Sequence, residues 1–143
     1  VLVTDADNDD ISTYNDIFSN DDTSLAIVDP EESLSGTYAE ELIQGEEDKN
    51  LNLESIQALE NTDSVVEEIT QGDSDAGFLL RTDVSDNEDL KIISRAPRSI
   101  LSPLVYGLGL SHSVEDGSAA RAFYDFLQSE EALEIYTNYG YIV

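Results

Sequence analysis

Cysteine is absent from the 143 residues, which excludes disulfides and thiolate metal sites. There is one histidine, His112, in a polar stretch beside Gly109 and Ser111. It reads as a solvated loop residue, since zinc sites draw on several ligands. With a single loop histidine, no Ser/His/Asp catalytic set can be assembled. No apolar run approaches the ~18 residues of a transmembrane helix. No signal peptide is visible and the chain opens on Val1, so the sequence is read as a mature form or an excised piece. Gly107-Leu108-Gly109 lacks the lysine of a phosphate-binding P-loop, and no cofactor motif is found. Basic residues are scarce as well: six against 32 acidic ones, with Lys49 and Lys91 the only lysines. A net charge of −26 makes nucleic acid and anionic membrane surfaces poor partners.

What remains is a globular composition, 40% hydrophobic, long enough for one core or two small lobes. The acids are spread along the chain and read as a solvated surface rather than a tail. Adaptation to high salt is one reading, because a Debye length of ~3 Å at ~1 M screens self-repulsion. Lineage composition bias is the other. With so many carboxylates, pairs of them carry no catalytic information. The acid-rich run at residues 5–10 offers the oxygen ligands that calcium takes, but it lacks the glycine and distal glutamate of an EF-hand.

Short apolar runs alternate with helical stripes. Residues 1–4, 24–28, 76–80 and 90–94 read as strands, as do residues 104–110 with their two glycines. Residues 56–59 read as a short strand or a helical turn. Ile11, Tyr14, Ile17 and Phe18 have helical spacing, and further helices are expected from Tyr38 to near Gly45 and from Asn61 to Gly72. Residues 46–52 read as a polar loop. This alternation predicts an α/β fold with a mainly parallel sheet flanked by helices.

Two segments bear on chemistry. Asp29-Pro-Glu-Glu-Ser-Leu-Ser35-Gly36-Thr37-Tyr38 runs from a strand through a turn into a helix rich in small hydroxyl residues. Thr62-Asp63-Ser64 opens a second helix. Helix starts carry unpaired N–H groups and a partial positive charge, so they hold oxyanions without lysine or arginine. Gly36 is expected to allow close approach of a ligand to the backbone. The alternative is an ordinary cap and turn at each place, with Asp63 capping its own helix.

At residues 119–141, AARAFYDFLQSEEALEIYTNYGY carries two amphipathic stripes, through Phe123, Phe126 and Leu127 and through Ala132, Ile135, Tyr136 and Tyr139. Ser129-Glu130-Glu131 starts the second helix and Gly140 stops it, and Phe123 and Phe126 are expected to be buried. The wording of this block resembles the closing segment of bacterial extracytoplasmic solute-binding proteins, above all the molybdate-binding branch. Asp29-Pro30 with Ser35-Gly36-Thr37-Tyr38-Ala39, Asp75-Ala76-Gly77-Phe78 with Thr82-Asp83, and Val105-Tyr106-Gly107 match further segments of that family. The resemblance implies a type II periplasmic-binding-protein fold, with residues 1–96 as its second lobe and residues 97–143 crossing back toward the first. It implies binding of a small oxyanion such as molybdate, tungstate or sulfate, without catalysis, for delivery to an ABC-transporter permease outside the cytoplasm. Backbone donors of the family fall on Ser35 and Thr62, while its tyrosine hydroxyl falls on Leu80, which has no donor. Arg81 next to it supplies charge in that place or else pairs with surface acids. The candidate ligand set is Ser35, Gly36, Thr37, Thr62, Ser64 and Arg81. The departure at Leu80 keeps open a sensor or protein-interaction domain that retained the fold and lost the ligand.

Overall fold

Leu-Ala-Ile-Val at residues 25–28 is apolar without alternation, the pattern of a strand covered on both faces, and all four side chains are buried. The computed structural model describes residues 1–19, 22–45, 52–101, 104–115 and 118–141. In chain order the strands are Leu2–Asp5 (β1), Leu25–Val28 (β2), Ile56–Leu59 (β3), Ala76–Phe78 (β4) and Leu90–Ser94 (β5). The helices are Leu34–Gln44 (α1), Thr62–Thr70 (α2), Arg81–Val84 (α3), Ala119–Phe126 (α4) and Glu130–Asn138 (α5), with 3₁₀ turns at Asp16–Phe18 and Leu53–Ser55.

One sheet of order β3-β2-β4-β1-β5 holds the first compact unit, Val1–Ser102, together. β2 pairs in parallel with β3 and β4. β1 pairs antiparallel with β4 and β5, so it alone opposes the direction of the other strands. Four of the five strands thus run in one direction, with two parallel and two antiparallel ladders between them, in an α/β fold of strands alternating with helices.

The two faces of β2 sort the core. Leu25 and Ile27 cluster with Ala39 and Leu42 of α1, with Phe78, and with Ile11, Ile17 and Phe18. Ala26 and Val28 cluster instead with Val65 and Ile69 of α2 and with Val3. Helices α1 and α2 thus cover opposite faces. Each large side chain buried in this way contributes about 1.5–3 kcal/mol. At Gly77, an added Cβ would lie 2.8 Å from both Ala26 O and Ile69 Cδ1, so the glycine lets α2 pack closely on the sheet.

Three expectations are corrected. Ile11 to Phe18 is not a helix beyond the 3₁₀ turn, although Ile11, Ile17 and Phe18 are buried. Asp16 Oδ2 accepts from the N–H groups of Ser12 and Thr13 at 2.9 and 2.7 Å, and Asn8 Oδ1 accepts from Asp10 and Ile11. These side chains hold the approach to the turn, and the N–H groups of Asp16 and Phe18 donate three residues back, to the carbonyls of Thr13 and Asn15, rather than four. Residues 104–110 join no strand ladder among the described residues, and Val105 is 82% exposed. Open space surrounds Gly107 and Gly109, and glycine weakens a strand. Third, α1 begins at Leu34, before Tyr38, because Ser33 caps it. Of the predicted loop at residues 46–52, residues 46–51 lie outside the described residues.

The second unit, Pro103–Val143, carries α4 and α5. Ser129 Oγ accepts from Ala132 N–H, the expected N-cap, and Ser118 Oγ accepts from Arg121 N–H, a cap that the sequence reading did not name. Gly140 ends the block at φ 92°, open to glycine at little cost. Phe123 and Phe126 stack with centroids 6.4 Å apart but are 59% and 40% exposed, against the expectation of burial. The amphipathic spacing is real, yet within this unit Phe123 and Phe126 stay exposed while Leu127 is half-buried.

Candidate functional site

Val28 of β2 and Leu59 of β3 are register partners at the carboxyl ends of neighbouring strands. The N–H of Asp29 donates to Leu59 O at 2.7 Å, tying the two exits together. From the first exit the chain turns into α1, and from the second into α2. Both helix N-termini therefore stand over one edge of the sheet, one on each face. In α/β sheets, crevices outside the carboxyl ends of strands are where ligands are held.

The donors at these starts are unequal. Ser33 Oγ accepts from Gly36 N–H at 2.9 Å, and Asn61 Oδ1 accepts from Ser64 N–H at 2.9 Å. Thr37 N–H and Val65 N–H donate to the carbonyls of Ser33 and Asn61. The N–H groups of Leu34 and Ser35 in α1, and of Thr62 and Asp63 in α2, have no partner among the described residues. Four backbone donors are left for solvent or an anion.

Ser35 is buried and its hydroxyl lies 3.1 Å from that of Ser33. Thr62 is half-buried at the first position of α2. These two residues own free N–H groups. Thr37 and Ser64 do not. The Thr37 hydroxyl donates toward Pro30 O and Ser33 O at 3.1 and 3.0 Å, closing the β2–α1 turn. The Ser64 hydroxyl donates to Asn61 Oδ1 at 3.2 Å. At Gly36 the close approach is by the chain itself: an added Cβ would sit 2.2 Å from Val28 O and 2.7 Å from Asp29 C. The glycine seats α1 on the end of β2. Asp63 lies in the first turn of α2, whose cap is Asn61.

Arg81 is half-buried just beyond the carboxyl end of β4, following Leu80. It makes no ion pair among the described residues. The residues missed by sequence reasoning are the cap Ser33 and the donor of Leu34. Ser33 stands three residues before Gly36, and that spacing signals a cap once the helix is known to start early.

A surface depression of about 630 Å³ follows Arg81 in the chain and is lined by Asp83, Asp86, Glu88 and Asp89 with neighbouring polar residues. Its carboxylates repel an anion. Among the described residues, no group of three or more His, Asp or Glu is placed to hold a metal ion. No helix there is long and apolar enough to cross a membrane.

Residues 1–142 match the family model described as bacterial extracellular solute-binding protein. The chain belongs to this family. Within it, the chain is 28% identical over 126 residues to a Bacillus subtilis protein named as an ABC transporter substrate-binding lipoprotein, YvgL, covering 87% of this chain and 48% of that protein. It is 22% identical over 119 residues to the molybdate-binding protein ModA of Escherichia coli, covering 83% and 46%. The chain spans about half the length of these curated relatives. Among solved structures, a substrate-binding domain assigned to a molybdenum ABC transporter of Clostridium difficile superposes with a TM-score of 0.87 at 24% identity, covering 99% of this chain and 61% of that one. The periplasmic molybdate-binding protein of Azotobacter vinelandii gives 0.71 at 16%, covering 99% and 64%. The fold of this solute-binding family member is thus that of the molybdate-binding proteins.

Proposed function

We propose that this chain supplies one side of an oxyanion-binding crevice in an extracytoplasmic solute-binding protein that serves an ABC-transporter permease. Residues 1–96 are the second lobe in this reading, and residues 97–143 lead back toward the first. The ligand is a small tetrahedral oxyanion of the molybdate, tungstate or sulfate type, bound without catalysis. One observation carries the reading: the uncommitted N–H groups of Leu34, Ser35, Thr62 and Asp63 crown the carboxyl ends of two adjacent strands. Neutral dipoles of this kind attract an anion at short range, while salt screens the −26 charge at long range. The names borne by the relatives agree with it. Ser35 and Thr62 carry the site. Gly36, Thr37 and Ser64 shape the helix starts that present it.

A second reading, a protein-interaction domain that lost the ligand, rests on Leu80, which lacks a donor, and on the exposed Phe123 and Phe126. Calorimetry of the protein at its full natural length with molybdate, tungstate, sulfate and phosphate separates the two. Saturable heat with at least one of these anions is expected. Silence with all four overturns the oxyanion reading and leaves the interaction domain.

A further inference from the structure

The few cations of this chain are unevenly used. Lys91 pairs with Asp9 at 3.9 Å and also donates to Asn8 O. Arg121 pairs with Asp125 at 3.5 Å across one turn of α4 and lies over the Tyr124 ring. Lys49 lies outside the described residues. The remaining three, Arg81, Arg95 and Arg98, make no ion pair among the described residues, despite the 32 acids of the chain. All three follow the carboxyl ends of strands: Arg81 comes after β4, and Arg95 and Arg98 come after β5. An arginine unpaired in so acidic a chain is a fork of donors suited to a planar or tetrahedral oxyanion.

Of the three, Arg81 alone follows a strand that pairs with β2. Phe78 of β4 is the register partner of Ile27 of β2, so the two chains leave the sheet side by side. One enters α1 through residues 29–33, and the other reaches Arg81 after Leu79 and Leu80. Neighbouring strands lie about 4.8 Å apart, within the span of an arginine side chain. The edge also bears Asp29 and Asp83. Asp29 Oδ1 accepts from Glu31 N–H, and Asp83 Oδ1 accepts from the Thr82 hydroxyl. Neither carboxylate pairs with Arg81. Arg95 and Arg98 leave the sheet from β5, with β1 between that strand and β4.

We propose that Arg81 is the specificity-determining residue of the carboxyl edge, selecting doubly charged oxyanions over singly charged ones by adding a guanidinium to the neutral N–H donors of α1 and α2. This rests on the oxyanion reading of that edge. Neutral donors alone discriminate weakly by ligand charge. A guanidinium adds an attraction that grows with it and weakens as salt is added.

The test is calorimetry on the full natural-length protein and its Arg81→Gln, Arg81→Lys and Arg95→Gln variants, with molybdate, sulfate and nitrate at two sodium chloride concentrations. Arg81→Gln is expected to weaken the dianions about 10-fold or more and to lower the dianion-to-nitrate preference. Its melting temperature without ligand should be unchanged. Arg81→Lys should recover part of the loss, and Arg95→Gln should stay within about 2-fold of the parent, a control for general charge effects. Equal affinity and preference in Arg81→Gln and the parent overturn the proposal while leaving the oxyanion site standing. An equal loss in Arg95→Gln overturns it in favour of a diffuse field. No binding by the parent sinks the oxyanion reading itself, and this proposal with it.

Discussion

Ser33 and Gly36 are joined twice over: the serine hydroxyl caps the glycine N–H at 2.9 Å, and the glycine lets the helix so capped lie against Val28 and Asp29. The start of α1 is therefore fixed in direction by a side chain and in height by the lack of one. What this leaves facing outward is the N–H pair of Leu34 and Ser35.

Gly36→Val should destabilise the first unit by about 1–3 kcal/mol or more, since the new methyl groups meet backbone atoms. Urea denaturation followed by circular dichroism measures it as a lower midpoint at constant slope. An unshifted midpoint would refute the close packing of α1 on β2.

Ser33→Ala and Asn61→Ala should each cost about 1 kcal/mol by removing an N-cap. The free donors of Leu34, Ser35, Thr62 and Asp63 survive both changes. A saturating oxyanion should then restore much of the lost melting temperature, because binding stabilises the native state by mass action. Loss of anion response together with the cap would show that the caps themselves touch the ligand.

Melting temperature should climb with sodium chloride toward molar concentrations. Screening relieves repulsion among carboxylates that six cations cannot neutralise. Sucrose at matched osmolality serves as the uncharged control. A profile that is flat in salt, or no steeper than in sucrose, would assign the acidity to composition alone.

Asp16 has its carboxyl held below the usual range, first by the N–H of Ser12, then by the Thr13 hydroxyl and N–H. A depressed carboxylate stabilises the fold above the unfolded value near 3.9 and loses that contribution as pH falls through the lower folded value. The turn at Asp16–Phe18 should therefore loosen only in strong acid. Asp16→Asn should loosen it at neutral pH, with faster amide exchange at residues 12–18 as the readout. Unchanged exchange in that variant would show that the apolar anchors Ile17 and Phe18 hold the turn unaided.

How much of this was legible in the residues varies by place. The strand at residues 25–28 was plain because four consecutive apolar side chains need two covered faces. The α5 start was plain because Ser129 and two glutamates are its cap and first turn. Residues 11–18 misled because their apolar spacing fits a helix, while their backbone closes only a 3₁₀ turn at Asp16–Phe18. Spacing records which side chains are buried, not which conformation buries them. The site was half legible. Ser35 and Thr62 stand where helix starts were expected, but the role of Gly36 depends on where Val28 and Asp29 run, which no local pattern encodes. Phe123 and Phe126 show the converse: their stripe was read correctly, and what covers it is not encoded in the stripe.

The placing of β1 between β4 and β5 has a kinetic meaning. β5 touches the sheet only through β1, and β1 reaches β4 only across the whole length of the intervening chain, with Leu2 opposite Phe78 and Ser94. The β2–α1–β3–α2–β4 segment can assemble from near neighbours. The last strand must then wait for the first to pair with β4. Closure of such long loops is slow, and until it happens both β1 and β4 present an unpaired edge. The half of the sheet that carries the helix starts can thus form first, and sealing of the other half sets the pace at which the fold becomes safe from association through its strands.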